Sequence, residues 1–78
     1  MNPDRDRPWV EVAARLKSVR TSTNLNQREF AERLGVSVSR YKNWESGAHR
    51  LSLDGALAIS NAFGTSLDFI YAPLLARE

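Results

Sequence analysis

The chain has 78 residues, a net charge of +2 and no cysteine. A chain this short forms one domain that buries only about 60 % of the surface its unfolded form exposes, which leaves little room for an enzyme cleft. The absence of cysteine excludes disulfides and thiolate metal sites as supports for the core.

Charge is distributed unevenly along the sequence. Residues 1–50 carry ten Lys and Arg against six Asp and Glu, whereas residues 51–78 carry one against three. The basic part favours a polyanionic partner. The charged start of the chain lacks the apolar stretch of a secretory signal, and no apolar run approaches the roughly 18 residues of a membrane span. We therefore expect a cytoplasmic protein with no membrane partner.

The first predicted helix covers about residues 8–21. Pro8 suits an early helical position. Apolar residues then recur at the spacing of an amphipathic helix, at Trp9, Val12, Leu16 and Val19. The polar residues that follow end this helix, and Asn24 is expected in the left-handed region, which its short side chain tolerates. Leu25 then enters the core.

Two further helices are predicted around a tight turn. A capping box at residues 26–29 begins the second helix, which ends at Gly35, where a left-handed conformation has no steric cost. Ser37 caps the third helix, which covers about residues 38–46 and ends at Gly47. Five apolar residues of this unit form one buried seam if the chain reverses at the turn: Phe30, Leu34, Val36, Tyr41 and Trp44.

Two short helices complete the predicted domain. Ser52 caps the fourth, over residues 53–63. Its inner stripe is predicted to be Leu53, Ala56, Leu57, Ser60 and Phe63, widened by Ile59. Ser66 caps the fifth, over residues 67–71, because Pro73 opposes continuation. The domain organisation is then a flexible N-terminus at 1–7, a domain at 8–72 and a tail at 73–78, with residues 1–6 and 76–78 expected to fray.

The order of these motifs resembles the helix-turn-helix domain of phage repressors, Cro-like proteins and Xre regulators, from about Val19 to Tyr71. The matching segments are Leu-Asn-Gln at 25–27, Glu-Phe-Ala-Glu-Arg-Leu-Gly-Val-Ser at 29–37, Trp-Glu-Ser-Gly at 44–47, Ser-Leu-Asp at 52–54 and Gly-Thr-Ser-Leu-Asp at 64–68. The resemblance implies an all-α, five-helix, lambda-repressor-like fold. Its third helix would lie in the major groove of DNA, about 12 Å wide, while the second crosses the phosphate backbone.

The resemblance also places base-reading residues at Val38, Ser39, Lys42 and Asn43. Helical geometry turns these four away from the aromatic residues of the seam. Asn43 can make a bidentate contact with adenine, Val38 can touch a thymine methyl group, and Ser39 can serve either base edge. For Lys42, guanine and phosphate both remain open.

Contacts with the DNA backbone are expected around these residues. The resemblance places Gln27, at the start of the second helix, on a phosphate, where free helix N–H groups also favour an anion. The remaining expected DNA contacts are Arg28, Ser37, Arg40, Ser46 and Arg50. The resemblance further implies an ion pair between Arg20 and Glu45 that fixes the pitch of the third helix.

The predicted function is that of a regulator of transcription that binds double-stranded DNA at specific sequences. We expect a repressor rather than an activator, and we do not expect an enzyme. The family implies a homodimer on a near-palindromic operator with half-sites about 34 Å apart. The expected dimer interface is formed by Phe69, Ile70, Tyr71, Leu74 and Leu75. The alternative is a protein-interaction module of the same fold, such as the antitoxin of a toxin pair or a partner of another regulator.

Catalytic, metal and cofactor roles find little support in the sequence. His49 has no cysteine or carboxylate at metal-ligand spacing nearby, so we expect it in a solvated loop and predict no metal and no cofactor. Ser37 is more simply a cap than a nucleophile. Trp9 and Trp44 lie in apolar stripes, which favours core packing over a stacking platform for single-stranded nucleic acid.

Overall fold

Five α-helices are connected by short turns. The computed structural model describes residues 3–75, with side chains from residue 7 onward. The helices are α1 (Pro3–Ser22), α2 (Gln27–Leu34), α3 (Val38–Ser46), α4 (Leu53–Phe63) and α5 (Leu67–Leu75). The predicted all-α, five-helix fold is confirmed. The parts of the predicted fraying ends at residues 1–2 and 76–78 lie outside the described residues.

Local capping fixes the bounds of α2, α3 and α4, which agree with the prediction. The Asn26 side chain accepts a hydrogen bond from the Glu29 N–H at 2.8 Å, and the Glu29 carboxylate accepts one from the Asn26 N–H at 2.9 Å. The side chains of Ser37 and Ser52 likewise each accept a hydrogen bond from a backbone N–H at the start of the next two helices. Gly35 ends α2 with a φ of 77°, a conformation that an L side chain disfavours.

The predicted start of α1 at Pro8 is wrong, because the helix begins at Pro3. Pro8 lies inside α1 and is buried. A proline holds φ near −65°, a helical value, but inside a helix it removes one hydrogen bond and its ring crowds the carbonyl four residues earlier. A proline early in a helix therefore does not mark its first residue when a second proline upstream also fits that position.

The predicted end of α5 at Tyr71 is also wrong, since the helix continues through Pro73 to Leu75. Proline has no N–H to donate to the carbonyl of Phe69, four residues earlier. Arg15 of α1 supplies the missing donor, because its Nη1 lies 2.8 Å from the Phe69 carbonyl oxygen. The same guanidinium lies over the Phe69 ring, 4.6 Å from its centre. A neighbouring helix thus compensates for the proline.

The core lies where α1 packs against α3 and α5, and α2 packs against α3 and α4. The predicted seam of the two-helix unit forms part of it. Phe30 and Tyr41 are fully buried, and the Phe30 ring stacks on Phe63 at 4.4 Å. This packing holds α3 by its inner face. Across the described range, no helix combines the length and the apolar character that crossing a bilayer requires.

The predicted inner stripe of α4 is partly wrong. Leu53 and Leu57 are 60 % and 41 % exposed, whereas Gly55 is buried together with Ala56 and Ile59. The large indole of Trp44 occupies the space above Gly55, so α4 turns its smallest residue towards it. A stripe chosen by the size of apolar side chains misses this arrangement, because shape complementarity here requires a glycine.

Candidate nucleic-acid interface

The third helix, α3, presents one face to the core and the opposite face to solvent. Tyr41 and Trp44 are buried, while Ser39 and Lys42 are exposed and Asn43 is half-buried. Val38 is half-buried and packs against the core cluster. Within the described part of the chain, no hydrogen bond uses the side chains of Ser39, Lys42 or Asn43. These polar groups are therefore available to a ligand.

An ion pair ties the end of α1 to the end of α3. Arg20 Nε donates to Glu45 Oε2 at 2.8 Å, and Arg20 Nη2 donates to Glu45 Oε1 at 3.0 Å. The third nitrogen, Nη1, donates to the carbonyl of Leu25 at 3.0 Å. The two charged side chains are only 14 % and 6 % exposed. Such a bidentate, shielded pair restricts the tilt of α3 relative to α1.

Two further donors reach the Glu45 carboxylate. The Tyr41 hydroxyl donates to Oε2, and the Gln27 amide donates to Oε1 at 3.1 Å. Sequence reasoning placed Tyr41 only in the seam and Gln27 only on a phosphate. The i, i+4 spacing of Tyr41 and Glu45 was a usable signal, since such residues lie on one face of a helix. The contact from Gln27 depends on tertiary packing and had no local signal.

These contacts shift three pKa values, and the hydrogen bonds to Glu45 raise the pKa of the Arg20 guanidinium. Burial raises the pKa of Glu45, but hydrogen bonds from Arg20, Tyr41 and Gln27 outweigh it, so the net pKa is below its ordinary value. Burial raises the pKa of the Tyr41 hydroxyl, and its hydrogen bond to Glu45 raises it further. Carboxylate and phenol are therefore both held in the protonation states they have at neutral pH.

We expect stability to fall at both ends of the pH range. The contribution of Glu45 is complete above its unfolded pKa, about 4.5, and is lost as pH falls through the lower folded value. The contribution of Tyr41 is complete below its unfolded pKa, about 10, and is lost as pH rises beyond it. Each group adds a slope of at most about 1.4 kcal/mol per pH unit.

Urea unfolding between pH 3 and pH 11 measures both limbs. Tyr41→Phe should flatten the alkaline limb. Tyr71→Phe serves as the comparison: burial alone raises the pKa of Tyr71, so this variant should remove only the part of the limb that burial of Tyr71 contributes. An alkaline limb that is unchanged in Tyr41→Phe would contradict the role assigned to its hydroxyl.

Several expected phosphate ligands have partners within the domain. Arg28 is exposed. The Ser37 hydroxyl accepts a hydrogen bond from the Arg40 N–H at 3.1 Å, which leaves its own proton for a ligand. The Arg40 guanidinium lies over the Trp44 ring, 4.9 Å from its centre. A cation stacked in this way is partly oriented before any ligand binds.

The other two expected ligands lie at and beyond the end of α3. The Ser46 hydroxyl donates to the Asn43 carbonyl at 3.3 Å. Arg50 is exposed in the loop after α3, and its guanidinium lies over the Trp9 ring at 5.2 Å. Trp9 belongs to α1, so the structure places Arg50 at the boundary between that helix and the loop.

The residues expected at the dimer interface separate into three groups. Ile70 is fully buried in the domain's own core, so it has no surface to offer a partner and its assignment is corrected. Tyr71 and Leu74 are half-buried, with the Tyr71 ring edge-on to Trp9 at 6.4 Å. Phe69 and Leu75 are 42 % and 68 % exposed.

Comparison with known proteins agrees with this arrangement of helices. A family model described as helix-turn-helix matches residues 16–70, more than half of the chain. The chain therefore belongs to the helix-turn-helix family, and the resemblance predicted from its motifs is confirmed. No solved structure shows significant similarity to it.

Three relatives are named as transcriptional regulators. The transcriptional activator BcrR of Enterococcus faecalis is 34 % identical over 76 % of this chain and 29 % of its own length. A transcriptional regulator in the ATPase CF(0) region of Rhodospirillum rubrum is 30 % identical over 83 % of this chain and 60 % of its own. The phage CTXphi transcriptional repressor RstR of Vibrio cholerae is 29 % identical over 76 % and 53 %. The chain thus spans less than two thirds of each.

Proposed function

We propose that this protein is a sequence-specific regulator of transcription that binds double-stranded DNA with α3 in the major groove. The observation that carries the proposal is the outer face of α3, where Ser39, Lys42 and Asn43 have side chains without hydrogen-bond partners in the described range. An α-helix fits the major groove, and short polar side chains on it can reach base edges. Asn43 reads adenine, and Ser39 reads either base edge.

Two observations support this function over simple solvation of that face. The inner side of α3 is immobilised by buried aromatic residues and by the pair of Arg20 and Glu45, so its outer side is held rigidly. Rigid positioning of the reading groups is what discrimination between bases requires. The relatives named as an activator and as a repressor are both transcriptional regulators.

The proposal includes a homodimer on a near-palindromic operator with half-sites about 34 Å apart. Phe69 and Leu75 supply the exposed apolar surface for the interface, and Tyr71 and Leu74 border it. One domain contacts too few base pairs for specificity in a genome, and a second copy doubles the site. The measured mass of the complex with a bound duplex should correspond to two chains.

Selection of bound duplexes from a random pool, followed by fluorescence anisotropy at several salt concentrations, tests DNA binding. The logarithm of the affinity should fall with the logarithm of the salt concentration, with a slope of about −0.9 per phosphate neutralised. Absence of binding at low salt would reject the proposal and favour the protein-interaction module.

Substitutions test the assignment of the reading residues. Asn43→Ala should cost about 1 to 3 kcal/mol on the selected duplex and relax the preference at one base pair. Gln27→Ala should weaken binding to selected and random duplexes alike. Asn61→Ala, at an exposed position of α4, is the matched control and should change neither. Equal effects of Asn43→Ala on both duplexes would reject its role in reading bases.

A further inference from the structure

A surface cleft of about 470 Å³ opens where three helices meet beside the outer face of α3. It is lined by Lys17 of α1, Gln27 of α2, and Lys42, Glu45 and Ser46 of α3. None of the predictions from sequence assigned a ligand to Lys17 or to α1. The cleft therefore adds an element to the candidate interface.

The Glu45 carboxylate lines the cleft but does not give the cleft a negative charge. Both oxygens of Glu45 already accept hydrogen bonds, two from Arg20 and one each from Tyr41 and Gln27. The charge of Arg20 balances the charge of Glu45 at contact distance. The two exposed ammonium groups of Lys17 and Lys42 therefore determine the charge of the cleft, which suits an anion.

The position of Lys42 on α3 separates it from the residues that read bases. Residues three apart in an α-helix differ by a rotation of about 300° about the helix axis, which equals about 60° in the opposite sense. Lys42 therefore lies between Ser39 and Glu45 around the helix, about 60° from each. Lys42 thus borders the cleft rather than the centre of the outer face. An ammonium on a flexible stem acts as a point charge, which phosphate accepts from many directions.

We propose that this cleft binds one phosphate of the DNA backbone, with Lys17 and Lys42 as its two cations. This inference rests on the proposed function and deepens it in two respects. It assigns a DNA contact to α1, and it decides between the two roles left open for Lys42 in favour of phosphate over guanine. The Gln27 amide, which donates one of its two N–H groups to Glu45, has a second N–H at the same place.

The test compares charge-removing variants on a selected duplex and on a random-sequence duplex. Lys17→Gln and Lys42→Gln should each weaken binding to both duplexes by about three- to tenfold, leaving the ratio of the two affinities unchanged. Arg33→Gln is the matched control, because Arg33 is an exposed cation at the end of α2 opposite Gln27. Arg33→Gln should reduce the affinity for DNA less than either lysine variant does, and it should leave the salt slope unchanged.

The double variant Lys17→Gln with Lys42→Gln gives the sharpest result. If both lysines share one phosphate, the salt slope should become less negative by about 0.9, the value for a single phosphate. A change near 1.8 would mean two separate phosphates and would overturn the shared site. Thermal unfolding by circular dichroism checks that each variant is folded, as expected for exposed positions.

Other outcomes overturn the inference in different ways. A Lys17→Gln variant that behaves like Arg33→Gln removes α1 from the interface while the proposed function stands. A loss of base preference in Lys42→Gln would show that Lys42 contacts guanine rather than phosphate. Tight binding of inorganic phosphate by the free protein, with an unchanged salt slope for DNA in the double variant, would point to a small phosphorylated ligand instead. Failure of the unmodified protein to bind any duplex would reject the proposed function as well.

Discussion

Replacing Arg20 with methionine is expected to destabilise the protein by about 3 to 5 kcal/mol, the range for removal of one partner from a buried ion pair. The side chains of Arg20 and Glu45 are 14 % and 6 % exposed. An exposed pair would contribute under about 1 kcal/mol. Because the pair is shielded, we expect the larger of these two costs. The variant leaves the Glu45 carboxylate without its counter-charge.

Urea unfolding at pH 7 measures this effect. For a domain of this size, each kcal/mol lowers the melting temperature by about 4 to 8 °C, so thermal scans should resolve it as well. Arg33→Met is the control, since Arg33 is exposed and should cost under about 0.5 kcal/mol. Adding Glu45→Gln to Arg20→Met removes the orphan charge, so the double variant should be more stable than Arg20→Met alone. A cost below 1 kcal/mol for Arg20→Met would show that solvent screens the pair.

Replacing Gly55 with alanine should destabilise the protein by about 1 to 3 kcal/mol, as overpacking of a core does. The expected sign is opposite to the usual effect, because glycine to alanine inside a helix stabilises by about 0.5 to 1 kcal/mol. An added Cβ at Gly55 would lie 2.6 Å from Cη2 of Trp44 and 2.9 Å from Cδ1 of Leu51. The indole is buried and rigid, so it has little freedom to move aside.

A double variant separates the steric clash from other effects. Trp44→Phe removes the atoms of the indole that would meet the new Cβ, so Gly55→Ala should cost less in that background than in the original protein. Ala62→Gly, at an exposed position of α4, measures the ordinary difference in helix propensity between alanine and glycine. It should destabilise the protein by up to about 1 kcal/mol. Stabilisation by Gly55→Ala would mean that α4 shifts freely away from Trp44.

Much of the fold follows from features that act over a few residues. The capping box at Asn26 and the glycine at position 35 fix the bounds of α2 through local hydrogen bonds and local backbone geometry. The faces of α3 follow from a helical period and from the size of Tyr41 and Trp44. Such signals are present in the order of residues itself, so the two-helix unit could be predicted with its bounds.

The features that could not be predicted depend on contacts between distant residues. The Phe69 carbonyl, which Pro73 leaves without its helical donor, accepts from Arg15, a residue that no pattern within α5 contains. The inner face of α4 depends on the indole that meets Gly55. The cleft beside α3 is lined by Lys17 of α1 and Lys42 of α3, which only the packing of these helices brings together. Residues far apart in sequence create these features, so periodicity within one helix carries no information about them.

The packing of α1 on α5 joins the two ends of the sequence, since Arg15 and Phe69 are 54 residues apart. Before α5 docks, α3 covers only part of the apolar stripe of α1. The intervening helical pair can form early through neighbouring contacts, but closure across such a long loop comes last and slows folding. A chain in which the helical pair has formed but this closure has not therefore still presents part of the apolar stripe of α1 to solvent.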